Sequence, residues 1–326
     1  MLSKLALSIN LSPTLAISAK AKELKAAGQD VINFGAGEPD FDTPNFIKKA
    51  AVKAINAGQT KYTPATGTKE LKSAVIEKFK RENDLDYSLN QIMINCGAKH
   101  TLFNLIMCTV GQGDEVIVPS PYWVSYPEMV KASGAKPVTA YTGPETKFKL
   151  TPQLLSAAIT DKTKLLILNS PSNPTGAIYS EKELAALGEI ILDKNITVIS
   201  DEIYEHLVYD GDFSSIAQIS PELKEKTVVV NGVSKAYAMT GWRIGYAAGN
   251  SEIIAGCAKL QSHSTSNPTS FAQAGALEGL TSDKSADAIT KMVAEFKKRR
   301  DYIFKELSSI DGVDVIKPRG AFYIFP

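Results

Sequence analysis

A chain of 326 residues, 44% hydrophobic and 22% charged, is long enough for one large α/β domain and a smaller one. Its net charge of +1 gives no electrostatic drive toward nucleic acid or an anionic membrane surface. Apolar runs such as LLIL and TVVV are of strand length, too short to cross a bilayer.

The N-terminal stretch MLSKLALSINLSPTLAISAKAKEL carries an apolar patch, but polar residues interrupt it. It reads as an arm leading into a helix rather than as a signal peptide. FGAGEPDFDTP (34–44) contains Gly-x-Gly but opens no helix of a crossover unit, so it is a poor dinucleotide fingerprint. Helical spacing of apolar residues follows at 45–58 and 68–83. IMIN (92–95) reads as a buried strand, and the small-residue turn CGAKHTLFN after it opens a helix. EVIVP (115–119) is the next strand, followed by SPYWVSYPE. KLLIL (164–168) leads into NSPSNPTG, and Ser180 with Glu183 then forms a capping-box pattern for a helix over 180–195. ITVIS (196–200) leads into DEIY, TVVVN (227–231) into GVSK, and RIGYAA (243–248) reads as a last core strand. A helix is predicted over 289–310. Strands alternating with helices predict an α/β fold with a mostly parallel sheet covered on both faces.

Cys96, Cys108 and Cys257 show no CxxC spacing, and His100, His206 and His263 are scattered singly. Neither a disulfide framework nor a metal site is predicted, and a reduced, cytoplasmic setting is expected.

Four polar turns, after Asn95, Leu168, Ser200 and Asn231, stand at the carboxyl ends of predicted strands. Open parallel sheets hold their ligands there. Singly, each residue has a plain structural reading. Asp201 could cap a segment, Lys235 could be a solvated loop lysine, and Asn173 before Pro174 could be a turn former. Together they meet the demands of pyridoxal 5′-phosphate. Its aldehyde needs an amine that bonds it and later carries protons, which Lys235 offers. Its ring nitrogen needs a buried carboxylate, offered by Asp201, and its ring oxygen needs donors, available on Asn173 and Tyr204. Its phosphate needs helix N-terminal amides, from Gly97, Ala98 and Lys99, and a bidentate cation, Arg243. Trp123 offers an aromatic plate over the ring.

GVSKAYAMTGWRIG (232–245) resembles the lysine-containing signature of class I and II aminotransferases. AGEPDFDTP, KYTPATG, PYWVSYPEMV, NSPSNPTGA and SDEIYEHLVYD are similar to further blocks of the bacterial aspartate aminotransferase subgroup, so the resemblance spans essentially the whole chain. It implies a fold-type-I pyridoxal-phosphate transferase with a seven-stranded sheet. Residues 1–14 would be an arm, 15–43 and 283–326 parts of a small domain, and 44–282 the large cofactor-binding domain. It further implies a homodimer in which Tyr62 reaches the phosphate of the neighbouring subunit's cofactor, and a Gly37 backbone that meets the substrate α-carboxylate. One departure is Gly232, where many relatives carry a phosphate-binding serine, so slightly fewer phosphate donors are expected.

The family resemblance also bears on the substrate. QSHSTSNPTS (261–270) lacks the arginine that binds the distal carboxylate in better-known relatives, and Lys99 is the cation the subgroup uses instead. A helix-start lysine is disfavoured by the helix dipole, which suits a bound anion. The implied reaction is L-aspartate plus 2-oxoglutarate to oxaloacetate plus L-glutamate, with prephenate as a further acceptor. Alternatives are an alanine- or aromatic-preferring aminotransferase and a lyase of the aminocyclopropane-carboxylate synthase kind. A pyridoxal-phosphate-sensing regulator would carry a basic DNA-binding module, and no such segment occurs in the chain. The chain stops within the strand-like GAFYIFP, and no residue matches the family's α-carboxylate arginine. The sequence is therefore expected to be cut short relative to a working enzyme, and unstable or nearly inactive alone.

Overall fold

A computed structural model describes residues 1–35 and 37–326; Ala36, the first residue of the AGEPDFDTP block, lies outside the described residues. Seven strands form one sheet: β1 (Ile92–Asn95), β2 (Glu115–Ser120), β3 (Lys136–Tyr141), β4 (Thr163–Asn169), β5 (Thr197–Asp201), β6 (Thr227–Gly232) and β7 (Gly245–Ala248). Their spatial order is β1-β7-β6-β5-β4-β2-β3. The pairs β2–β3, β2–β4, β4–β5 and β5–β6 are parallel, whereas β7 is antiparallel to both β1 and β6. Strands β1 to β6 therefore end at one edge of the sheet, and β7 begins there.

Two strands depart from the sequence reading. β3 was not foreseen, because it is an edge strand whose residues are partly exposed and include Pro137. Proline is tolerated at a sheet edge, where no second neighbour needs its missing N–H. The expected strand 243–248 starts only at Gly245, since Arg243 has a left-handed φ of 56° and closes the turn Thr240–Trp242.

Both faces of the sheet are covered, as the unbroken apolar runs require. On β4, Leu165 and Ile167 pack with Leu102, Leu105 and Val130, while Leu166 and Leu168 pack with Leu184, Leu187 and Ile191. That is the period-two alternation of a strand buried on both sides. The helices Asn45–Asn56, Lys69–Asn83 and Glu181–Asp193 form where apolar spacing predicts them, and the last long helix, Ser285–Ser308, begins earlier than expected. The capping box forms as read: the Ser180 amide donates to Glu183 at 2.8 Å and the Glu183 amide to Ser180 at 3.4 Å.

Beneath the sheet edge lies a buried ion network. Lys78, wholly buried, pairs with Glu205, donates to Asn83 Oδ1 at 2.8 Å and lies 3.6 Å from Glu82. His206 joins through Glu82 at 3.0 Å. Glu82, Glu205 and His206 come close enough to hold a metal ion, and the Lys78 ammonium already sits against both carboxylates.

The expected strand-like end forms one isolated bridge, Val208 to Gly320. Its backbone bonds instead to turns: Tyr209 N donates to Arg319 O, Ala321 N to Leu207 O, both at 2.8 Å, and Gly320 N to Gly176 O at 3.0 Å. These contacts bring Phe322 and Tyr323 against Tyr204, with ring centroids 5.5 and 5.7 Å away. No helix among the described residues is long and apolar enough to cross a membrane.

Candidate active site

Asp201 ends β5 and is buried at the sheet edge. Asn169, its register partner at the end of β4, donates from Nδ2 to the Asp201 carbonyl at 2.9 Å. The Asn169 side-chain oxygen accepts the Asn173 amide at 2.7 Å, which pins the NSPSNPTG turn beside the acid. Burial raises the Asp201 pKa to about 6. Opposing it are the Tyr126 hydroxyl, which donates to Oδ2 at 2.6 Å, the Ile203 amide on Oδ1 at 3.3 Å, and the charge of Lys235. Tyr126 was not singled out in the sequence. Its signal was the three-residue spacing from Trp123: the Tyr126 amide donates to the Trp123 carbonyl at 3.1 Å, and the two rings stand in edge contact, centroids 5.4 Å apart.

Lys235 follows β6 and its Nζ donates to the Gly37 carbonyl at 2.7 Å. Burial lowers its pKa to about 8, Glu38 opposes that, and Arg243 adds to it. The result is an amine that readily gives up its proton near neutrality, as a nucleophile or proton carrier requires.

Reversal of β7 explains how Arg243 reaches the edge where the other strands end. The residue precedes β7, so its side chain enters the edge from the start of a strand, and Nη1 donates to the Thr240 carbonyl at 2.7 Å. Gly97, at φ 89°, caps the helix Ala98–Thr109, and a Cβ there would lie 2.4 Å from Arg243 Nη2. A Cβ on Gly245 would lie 2.2 Å from the Ala98 nitrogen. Two glycines thus let a guanidinium and a helix N-terminus meet, and first-turn amides have no partner within their own helix. That donor set suits a phosphate. Gly232 has its own reason: a Cβ there would meet the Ile244 carbonyl at 2.9 Å and Gly245 Cα at 3.0 Å. The close approach of β6 and β7 admits a side chain at this position only if the two strands shift apart.

Gly37, Ala98, Lys99, Trp123, Asn173, Asp201, Tyr204, Lys235 and Arg243 all line one cavity of about 530 Å³. Lys99 stands 4.7 Å from the Trp123 ring centroid, and its pKa is lowered by partial burial and by the charge of Arg243. Gly97 lies just behind the cavity wall, against Arg243. Tyr62 is not brought to this cavity; it is 90% exposed. Tyr323, also unforeseen, takes the hydrogen bond of Asn173 Nδ2 at 3.3 Å and bonds the Tyr204 hydroxyl at 2.7 Å.

A buried acid, an amine of lowered pKa, an anion cradle and an aromatic plate, gathered at the strand ends of a seven-stranded α/β sheet, define a pyridoxal-phosphate enzyme. A family profile described as aminotransferase class I and II matches residues 29–326, and the chain belongs to that family of pyridoxal-phosphate-dependent aminotransferases. It is similar to the aspartate aminotransferase of Bacillus subtilis, at 54% identity over 97% of this chain and 80% of that protein. The aspartate/prephenate aminotransferase of Cereibacter sphaeroides is 53% identical, over 97% of this chain and 79% of its own length. Among solved structures, aspartate aminotransferase from Thermus thermophilus with maleate superimposes with a TM-score of 0.96 at 44% identity, covering 99% of this chain and 84% of that one.

Proposed function

We propose that the chain transfers the amino group of L-aspartate to 2-oxoglutarate, giving oxaloacetate and L-glutamate, with prephenate as a further acceptor. The observation that carries this reading is the Lys99 ammonium, 4.7 Å from the Trp123 ring centroid in the cavity that Lys235 and Asp201 also line. A cation there can meet the distal carboxylate of a dicarboxylic substrate. As a mobile point charge it tolerates substrates of different length better than a fixed guanidinium fork. The similarity to a relative solved with maleate, a dicarboxylate, supports the same choice.

Bound pyridoxal phosphate supplies the electron sink of the reaction. In this reading Lys235 anchors it and then moves the proton taken from the substrate Cα. Asp201, held by Tyr126, keeps a proton at the ring nitrogen, and Asn173 with Tyr204 binds the ring oxygen. Arg243 and the Gly97–Ala98–Lys99 amides hold the phosphate, Trp123 covers the ring, and the Gly37 backbone meets the α-carboxylate. Tyr62, exposed and not part of its own cavity's lining, serves a partner's cofactor in a homodimer. The domain division at residues 14, 43 and 282 belongs to the same reading. Three free cysteines support a reducing, cytoplasmic setting.

A second reading, preference for aromatic amino donors, draws on the aromatic walls formed by Trp123, Tyr204 and Tyr323. Steady-state rates for aspartate, alanine and phenylalanine on wild type and Lys99→Ala separate the two. The expected outcome is an aspartate KM raised by about tenfold or more, the loss of one charge-assisted contact, with alanine and phenylalanine little changed. An unchanged aspartate KM sinks the role of Lys99.

A further inference from the structure

Tyr323 stands between two cavities. One is the candidate active site, and the other is an adjoining space of about 610 Å³ lined by Glu38, Phe296, Arg299 and Phe322 among others. Its hydroxyl accepts from Asn173 Nδ2 at 3.3 Å and shares a hydrogen bond with the Tyr204 hydroxyl at 2.7 Å, in which either oxygen can donate. It also approaches Gly37 so closely that a Cβ there would lie 2.2 Å from it. Burial, chiefly, pushes the Tyr323 pKa up to about 12, so the group is a neutral phenol at physiological pH.

Tyr204 and Asn173 are the donors that the proposed function assigns to the ring oxygen of the cofactor, and the role of Tyr323 rests on that reading. A Tyr204 hydroxyl has one proton to donate. While the Tyr323 oxygen stands 2.7 Å from that hydroxyl and 3.3 Å from Asn173 Nδ2, a second phenolic oxygen cannot take the same position between them. The backbone next to Tyr323 is anchored, through the Ala321 amide on the Leu207 carbonyl at 2.8 Å and through Tyr209 on the Ala321 carbonyl. The phenol itself is held at its tip, by an edge contact with Tyr204, by a tilted contact with Phe322 and by its close approach to the Gly37 backbone. The adjoining cavity, which Tyr323 also lines, is the space its side chain would enter on leaving Tyr204 and Asn173.

We propose that Tyr323 is an internal competitor for the cofactor: its hydroxyl holds Tyr204 and Asn173 until pyridoxal phosphate displaces it toward the adjoining cavity. The device sets a threshold for loading and leaves the covalent chemistry at Lys235 untouched.

The test is pyridoxal phosphate binding to the full chain, followed by tryptophan fluorescence and by borohydride-fixed pyridoxyl label on Lys235. Tyr323→Phe keeps the ring and removes the hydroxyl. It is expected to tighten Kd by roughly threefold to tenfold, the worth of one neutral hydrogen bond, and to speed association. In a Tyr204→Phe background the same change is expected to shift Kd by about twofold or less, because the hydroxyl that the two phenolic oxygens compete for is gone. Wild type labelled at Lys235 together with equal or weaker binding by Tyr323→Phe overturns the competitor role alone. No label on Lys235 in either protein overturns the cofactor reading and this proposal with it.

Discussion

The hydroxyl of Tyr126 donates to Oδ2 of Asp201 at 2.6 Å, and both groups are buried. Burial alone drives the acid toward its neutral form, and this donor works against that drive. Tyr126→Phe leaves only the Ile203 amide at 3.3 Å on the side chain. The Asp201 pKa is then expected to climb further above about 6. Hydrogen bonds to charged groups are worth about 1.5–3 kcal/mol, so affinity for pyridoxal phosphate should fall roughly tenfold to a hundredfold. The loss should be larger at pH 6.5 than at pH 8.5, where the acid is ionised in either protein. Titrations at both pH values check this, and equal affinities of variant and wild type at both would refute it.

Lys235 is the amine whose pKa burial lowers to about 8. Only the neutral amine attacks an aldehyde, and its share grows as pH rises. The rate of pyridoxal phosphate attachment to the cofactor-free chain is therefore expected to increase through pH 7 and level off above about pH 8. Stopped-flow absorbance measures it, and a rate flat from pH 6 to 9 contradicts the assignment. Lys235→Ala removes the proton carrier as well, and transamination should drop by about 10²–10⁴-fold or more.

Gly245→Ala tests the cradle from its unreactive side. The added methyl would sit 2.2 Å from the Ala98 nitrogen and 2.5 Å from the Gly97 carbonyl carbon, and both are backbone atoms. Either β7 or the helix start must shift. Overpacking of this kind costs about 1–3 kcal/mol. Urea unfolding should show that loss, and the phosphate-bearing cofactor should bind more weakly. Wild-type stability with wild-type affinity would mean that the cradle yields freely.

Glu202, next to Asp201 and buried, reports on pH. Its Oε1 accepts from Ser200 at 2.7 Å and Ser215 at 2.5 Å, while Oε2 has no hydrogen-bond partner among the described residues. Burial, reinforced by the charge of Glu205, raises its pKa to about 8. The folded state thus keeps a proton that the unfolded chain releases above its ordinary pKa of 4.5. This contribution to stability is intact below pH 4.5 and is lost as pH climbs toward about 8. Glu202→Gln is neutral throughout, so its stability relative to wild type should improve steadily from pH 5 to pH 8. Unfolding curves at three pH values check the slope, and a pH-independent difference would rule it out.

Strands β1, β2, β4, β5 and β6 were legible because doubly covered strands are unbroken apolar runs that stop at turn residues. β3 was not, because an edge strand shows partial exposure and admits Pro137. Lys235, Asp201, Asn173 and Tyr204 could be nominated for one site because each stands at or within a few residues of a strand's carboxyl end, and all of them line the same cavity. Tyr126 carried a weak cue in its spacing from Trp123. Tyr323 carried none, since 119 positions separate it from Tyr204, the residue that gives its hydroxyl a meaning.

The sequence by itself determined the layers and the chemistry available at the strand ends, because side-chain periodicity and turn residues act over a few neighbouring positions. Only the tertiary structure decided that β7 runs backwards and so delivers Arg243 to Gly97, that Tyr126 meets Asp201, and that Tyr323 meets Tyr204. Those pairings depend on how the chain crosses over and on which polar groups lose their water together, and no local pattern encodes either.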